Sequence, residues 1–479
     1  MAYYHGIKTN QQPTSVSTPV VAAVGIPFVV GTAPIHTTGG KANEIILANT
    51  YSEAVEALGY SEDWEHYTLC EMIYSHFKLY SSSPVIFVNV LDPATAKKSI
   101  ASKEFSISDN KVELSINYIL DGLKVSSTSG AETALIKDTD YSAFYDDDKL
   151  IVEMLSTTAK QLTKVYISGN EVDFSKVTKK EIIGGIDVST GNATGLELIE
   201  NCYAKYNIVP DLILAPGYSS DSEVAAAMQA KATGINELFE ATALIDADCT
   251  TVTDYRNVPE WKNSKSITKK EQIVLWPMVT LGDKKYHMSV QLAGVIAQTD
   301  SGNDDCPSES PSNKDMQIDG LCLADGSEIV LNVTQANYLN SNGVCTAINF
   351  IGGFKAWGNE TAAYPANTDV KDYFIPISRT FAWIAKTAVL TFWSKIDSKM
   401  NRRLIDNIVD TFNIYLNGLV SEEKILGGRI EFRDDENTLT DLMSGKMKFH
   451  VFVTPPSPAK EIEFTFEYDT DYVKQALTE

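Results

Sequence analysis

The chain has 479 residues, 44% apolar and 10% aromatic, which is more than one hydrophobic core usually organises and too apolar for a disordered polymer. Its 63 acidic against 40 basic residues give a formal charge of −23, a field that opposes any general nucleic-acid surface, so nucleic acid is set aside as a partner. No run near twenty residues is uniformly apolar, and the start "MAYYHGIKTNQQ" lacks the pattern of an export signal. Synthesis and folding in the cytoplasm, without direct membrane insertion, are therefore expected.

Residues 1–19 are polar, with Pro13, Pro19 and a Ser/Thr run, and read as an extended arm. From Val20, "VVAAVGIPFVVGTAP" reads as buried strand interrupted at Gly25 and Pro27. Thr50 and Glu53 form a capping box for a short helix that stops near Gly59. Tyr67, Cys70, Ile73, Tyr74 and Phe77 then recur at helical spacing, and "PVIFVNV" is a continuous apolar strand of the kind buried on both faces. The alternation resumes with "DLILAPG", "ATALIDA" and "QIVLWPM" as strands and "SEVAAAMQAKATGINELF" as helix. This grammar predicts a mostly parallel sheet with flanking helices, split by an insertion.

Within the insertion, Val112, Leu114, Ile116 and Tyr118 alternate with polar residues as in a half-exposed strand, and Gly169-Asn170 reads as a hairpin turn. Residues 298–316 are polar and rich in turn formers, and read as a loop. A helical tract is expected from Ser378 to about Leu419. Two β runs follow, Gly428 to Arg433 and Lys446 to Val453, joined by an acidic connection. Beyond Pro455-Pro456, Ile462, Phe464, Phe466 and Tyr468 alternate with Glu461, Glu463, Thr465 and Glu467, giving one strand with one greasy face. The fold class is α/β, with an inserted small all-β domain and an α+β C-terminal domain with extended terminal arms. The division is 1–19 as N-terminal arm, 20–91 plus 206–350 as core, 92–205 as inserted surface β domain, 351–456 as C-terminal domain and 457–479 as C-terminal arm.

Signals for chemistry are weak. No G-x-S-x-G occurs, and "APGYSSDS", Ala215 to Ser222, reads as an ordinary strand-to-helix loop. The six histidines, among them His66, His76 and His287, form no H-E-x-x-H or H-x-H, and the six cysteines form no C-x-x-C. Neither a catalytic residue, a metal site, a disulfide framework nor a cofactor is expected. "YDDDK", Tyr145 to Lys149, reads as a solvated turn, and "EIIGGIDVSTGNATG" as the return from the insertion. One cationic feature stands out: Lys395, Lys399, Arg402 and Arg403 against Asp397 in "SKIDSKMNRR". Lys395, Lys399 and Arg402 would share a face of an unbroken helix, either solvated or docking an acidic partner. "GFKAWGNET" reads as a glycine-permitted turn seating Phe354 and Trp357 in the core.

The segments "YYHGIKTNQQPTSVSTPVVAAVG", "GFKAWGNETA", "RTFAWIAKTAVLTFW" leading into "RRLIDNIVDTFNIYLNGLV", and "SGKMKFHVFVTPPSPAKEIEFTFEY" together resemble the tail sheath proteins of contractile bacteriophages and R-type bacteriocins. The similarity covers both ends and the core, and is weakest over the insertion. It implies a structural protein, subtilisin-like in fold only, assembled in a bacterial host cytoplasm into a virion tail or tail-like particle. Its copies would stack as hexameric rings in a helical polymer around an inner tail tube protein, with baseplate and tail terminator proteins as further partners. It implies that arms add strands to a hairpin of another copy. Here Ile462, Phe464, Phe466 and Tyr468 would form the donated strand, and Ile430, Phe432, Met447, Phe449, Val451 and Val453 the acceptor. Lys395, Lys399, Arg402 and Arg403 are the candidates to face the tube. A hydrolase of surface polymers and a different self-assembling shell are the competing readings.

Overall fold

The computed structural model describes residues 19–129 and 134–478. The expected N-terminal arm lies, but for Pro19, outside the described residues. At the centre is an eight-stranded sheet made of β1 (Pro27–Gly31), β2 (Ile45–Ala48), β3 (Val85–Asn89), β4 (Leu212–Leu214), β5 (Thr242–Asp246), β6 (Gln272–Leu275), β7 (Val344–Asn349) and β8 (Phe354–Trp357). The order is β2-β3-β1-β4-β5-β6-β7-β8, parallel from β3 to β7 and closed at each edge by an antiparallel strand. β1, β3 and β5 are buried at every residue, which is why they read as unbroken apolar runs. β8 is not left bare, because Asn313, Lys314 and Met316 exchange backbone hydrogen bonds with Ala356 and Phe354.

Helix α1 (Met288–Gly302) is buried along almost its whole length, and its last turn takes up the first residues of the expected 298–316 loop. Gly294 is required there: a Cβ would stand 2.2 Å from the Tyr80 ring, whose hydroxyl donates to Gln291 Oε1 at 2.6 Å.

Residues 97–172 form two three-stranded antiparallel sheets with an apolar cluster of their own that includes Val112, Leu114, Val125, Leu150, Val152 and Ile167. Three expectations need correction here. Ile116 lies in a turn, so Tyr118 opens a second strand rather than continuing the first. Gly169-Asn170 is no hairpin tip but sits inside the strand Lys164–Val172, beside register shifts on both neighbouring strands. Glycine suits that place because a Cβ would meet Leu123 Cα at 3.3 Å. The two-sheet unit also ends at Val172, since residues 174–206 form short helices and one small antiparallel pair, Gly185–Ile186 with Ala193–Thr194, and send Ile182, Leu196, Ile199 and Cys202 into the core around the central sheet. Asp147-Asp148 is a hairpin tip, as "YDDDK" suggested, with Asp147 at φ 46°.

The expected helical tract is two helices, α2 (Ile375–Phe392) and α3 (Arg402–Ser421), separated by a single 3-10 turn and an irregular corner. Asp397 there adopts a left-handed φ of 62°, and the Asn401 side chain caps α3 by accepting from Leu404 N at 2.9 Å. Trp383, Ile384, Phe412 and Leu416 pack these helices together, with Ile430 of a hairpin formed by β9 (Gly427–Glu431) and β10 (His450–Thr454).

Arg379 of α2 fastens this unit to the sheet. It is 5% exposed and donates to both Asp300 carboxylate oxygens, one of them at 3.0 Å, and to Asp211 Oδ2 at 2.9 Å. Asp211 also accepts from Ile26 N at 2.8 Å. Arg379→Met would leave two buried carboxylates without their cation, and is expected to lower unfolding free energy by about 3–5 kcal/mol. A urea melt measures this, and adding Asp300→Asn is expected to recover part of the loss.

Candidate functional site

The β9–β10 hairpin offers an open edge whose polarity can be worked out from one side chain. Asn413 of α3 accepts from Ile430 N at 3.0 Å and donates to Ile430 O at 3.3 Å. Both backbone groups of Ile430 therefore point away from β10, so Ile430 and Val451, which lie opposite each other, form a non-hydrogen-bonded pair. The N–H and C=O of Val451, and of Val453 two residues on, consequently face outward along β10. Among the described residues no strand pairs with that edge. β9 is thus stitched to α3, while β10 is the side on which a further strand can add.

The expected hairpin strands are each displaced. Ile430, Val451 and Val453 lie in the ladder, whereas Phe432, Met447 and Phe449 lie outside it. Asn437 explains the displacement, since its side chain bonds Arg433 O, Lys448 O and Lys448 N and pulls the chain out of ladder geometry. Phe432 and Phe449 remain in contact at 5.5 Å between ring centres. Neither the Asn413 stitch nor this Asn437 tie was read from sequence, because a lone asparagine carries no periodic signal.

Residues 461–469 run without secondary structure, so the expected strand makes no ladder within the chain. Ile462, Phe464, Phe466 and Tyr468 are all exposed, Phe466 at 93%. Helix α4 (Thr470–Thr478), not foreseen, follows with Tyr472 and Leu477 exposed.

The basic cluster loses its shared helical face. Lys395 ends the 3-10 turn, Lys399 lies in the corner, and Arg402 and Arg403 open α3. Arg402 Nε pairs with Asp406 at 2.9 Å, and Trp393 and Ile396 are exposed in the same corner. Asn401 followed by Leu404 was the missed start signal for a second helix.

The densest group of chemistry-bearing side chains lies elsewhere, beyond the carboxyl ends of β4 and β5. His287 Nδ1 meets Glu71 Oε2 at 2.8 Å, and Glu71 Oε1 accepts from His287 N at 2.6 Å. Asp246 accepts from Ser289 N at 2.8 Å, from Ser289 Oγ at 2.5 Å and from Ser219 Oγ at 3.4 Å. A pocket of about 110 Å³ opens beside Ser219, Asp246, Asp248 and His287. Burial opposes charge on His287, but the Glu71 carboxylate, with Asp246 behind it, outweighs burial and holds the imidazole up at about 9. Burial likewise raises both carboxylates above their ordinary range. The two serine hydroxyls serve the carboxylate and not the imidazole, so this is a charge network rather than a nucleophile with its base. Among the described residues no metal-ligand cluster occurs, and no helix is long and apolar enough to cross a membrane.

No family model matches the chain. It is 23% identical over 482 residues to the tail sheath protein of Burkholderia phage BcepMu, covering 98% of both. It is 26% identical to a putative prophage major tail sheath protein of Pseudomonas aeruginosa over 62% of this chain and 74% of that one. The tail sheath protein of Escherichia phage P2 matches at 23% over 63% and 74%. Among solved structures, the contracted sheath complex of the extracellular contractile injection system PVC superposes with a TM-score of 0.59 at 11% identity, over 98% of this chain and 99% of that one. The contracted helical sheath of the anti-feeding prophage gives 0.57 at 12%, over 98% and 100%. These comparisons bear out the resemblance to tail sheath proteins and a mixed α/β fold shared with sheaths. The relatives named are structural proteins rather than enzymes.

A group whose proton is held more tightly in the folded chain stabilises below its unfolded pKa and loses that contribution as pH rises through the folded one. For His287 the window runs from 6.5 to about 9. Thermal unfolding is expected to show stability falling across it, and His287→Gln to flatten that fall by about 1–3 kcal/mol.

Proposed function

We propose that the chain is the repeating subunit of a contractile tail sheath, a non-enzymatic structural protein. Its copies stack as six-membered rings into a helical polymer around an inner tube and shorten to drive the tube through a target envelope. The end-to-end match to the BcepMu sheath protein, 98% of both chains, carries the reading. The division into terminal arms, core, inserted β domain and C-terminal domain, with residues 174–206 counted to the core, belongs to the same reading, as do the subtilisin-like label for that core, assembly in the host cytoplasm and contacts with tube, baseplate and terminator proteins.

Two features agree with this mechanism. An exposed segment alternating Ile462, Phe464, Phe466 and Tyr468 with polar residues is built to add to a sheet edge, and the outward groups of Val451 and Val453 form such an edge on each copy. Donor and acceptor are different surfaces, so the contact is heterologous and propagates instead of closing into a dimer. Ile430 and Phe449 support the acceptor from the core side, with Phe432 and Met447 at its margin. The exposed corner carrying Lys395, Lys399, Arg402 and Arg403 is our candidate for the tube-facing surface. That assignment rests on local charge within a chain of net charge −23.

Negative-stain microscopy of the purified chain, alone and with tube protein, tests the reading. Rings or striated tubes are expected from the full chain and much shorter or no polymers from a version ending at Pro456. Equal assembly by both overturns the arm's role, and monomers in every mixture overturn the sheath reading. Lys395→Glu with Arg402→Glu is expected to abolish extended sheath on tube while leaving the folded chain intact by circular dichroism. Normal yield would refute the tube-facing assignment.

A further inference from the structure

Core packing accounts for only part of the Gly353–Ala362 signature: Ala356 and Ala362 are buried and Phe354 packs against the core. Gly352 and Gly353, at φ 79° and 101°, make the turn into β8, but Trp357 is only partly buried and its Nε1 donates to Asn337 Oδ1 at 3.1 Å. Polar residues that follow, Glu360 and Thr361, are buried as well. Residues 359–361 are strapped to the start of α2: Ile375 N donates to Asn359 O, and Thr361 N to Tyr373 O. This holds Glu360 at 2% exposure, with one carboxylate oxygen accepting from Asn359 N at 3.0 Å.

The other oxygen, Oε1, has one cation beside it among the described residues: Lys460 Nζ, at 2.6 Å. The same ammonium lies 5.4 Å from the centre of the Tyr364 ring, which continues through Tyr373 to Phe374 as an aromatic shelf. A buried carboxylate with an aromatic face across from it is a receptor for a primary ammonium. Lys460 sits just before the exposed segment, in a stretch, 458–461, that forms one wall of a groove of about 790 Å³ opposite Ser312, Asn337 and Trp357. The root of the arm spans this groove and ends on a charge.

We propose that Glu360 and Tyr364 form a socket for the Lys460 ammonium that latches the root of the C-terminal arm to its own core. The arm's take-off point and heading are then set before it meets a neighbour. The arm's role in joining copies rests on the sheath reading above, but the latch itself is a property of the single chain. A buried carboxylate that loses its cation is left charged and poorly solvated, so the socket strongly favours occupation.

The purified full chain is treated with an amine-acetylating reagent, and the labelling rate of each lysine is read by mass spectrometry. Lys41, exposed and without a carboxylate beside it among the described residues, is the internal reference. A lysine whose proton is held by a carboxylate presents less free amine, so Lys460 is expected to react about tenfold more slowly than Lys41. In Glu360→Gln the two rates should become equal with Lys41 unchanged. Equal rates in the unaltered chain, or a slow Lys460 in Glu360→Gln, would overturn the latch. If Glu360→Gln fails to fold, Lys460→Met leaves the core sequence untouched, and cleavage by a non-specific protease within residues 457–461 must then quicken several-fold. A latch that passes in a chain forming no polymer leaves only the sheath reading to be abandoned. Polymers whose Lys460 labels freely sink only the latch.

Discussion

Everything distinctive in this structure hangs on one buried guanidinium. Arg379 joins segments far apart in sequence: Asp211 at the head of β4, Asp300 near the end of α1, and α2 itself. Through Asp211 it also reaches Ile26, just ahead of β1. The N-terminal lead is held along the same helix, with Ala22 N donating to Thr387 Oγ1, Val20 N to Thr391 Oγ1, and Trp383 Nε1 to Ala22 O. A buried ion pair adds little net stability over a well-packed apolar substitute, but separating its partners strands a buried charge. Its value here is that the sheet, the two C-terminal helices and the N-terminal lead have one relative placement.

That rigidity gives the two ends of the chain fixed origins. The lead enters against α2, the hairpin is stitched to α3 by Asn413, and Lys460 returns to Glu360 beside the start of α2. In the proposed polymer, the stiff block would rotate as a body while connections between copies run through extended chain. A heterologous contact made by flexible arms survives such rotation because only the leads need bend.

The parts of this design differ in how legible they were. Strands β1, β3, β4, β5 and β6 announced themselves because burial on both faces leaves no room for polar alternation, whereas β7 was not read as a strand. The alternation of Ile462 to Tyr468 was equally plain as a pattern, although the single chain leaves that segment unpaired. Errors came where one residue overrides a period. Asn401 and Asp397 divide an apolar helical tract that reads as continuous, and Gly169 serves a close strand approach instead of a turn. Arg379, Glu360 and Asn413 were invisible as site residues because their partners lie far off in sequence, and spacing reports only neighbours.

The arm's energetics follow from the same physics. Ordering an extended backbone costs about 1–2 kcal/mol per residue, and burying a large apolar side chain returns about 1.5–3 kcal/mol, but only at every second position. The two nearly cancel per pair of residues, so backbone hydrogen bonds worth about 0.5–1.5 kcal/mol each decide whether a strand adds. In the proposed polymer a single arm contact would therefore be weak. Fixing the root at Glu360 would remove part of the ordering cost without adding any contact to the neighbour. Strength in the proposed polymer would then come from the number of arms rather than from any one of them.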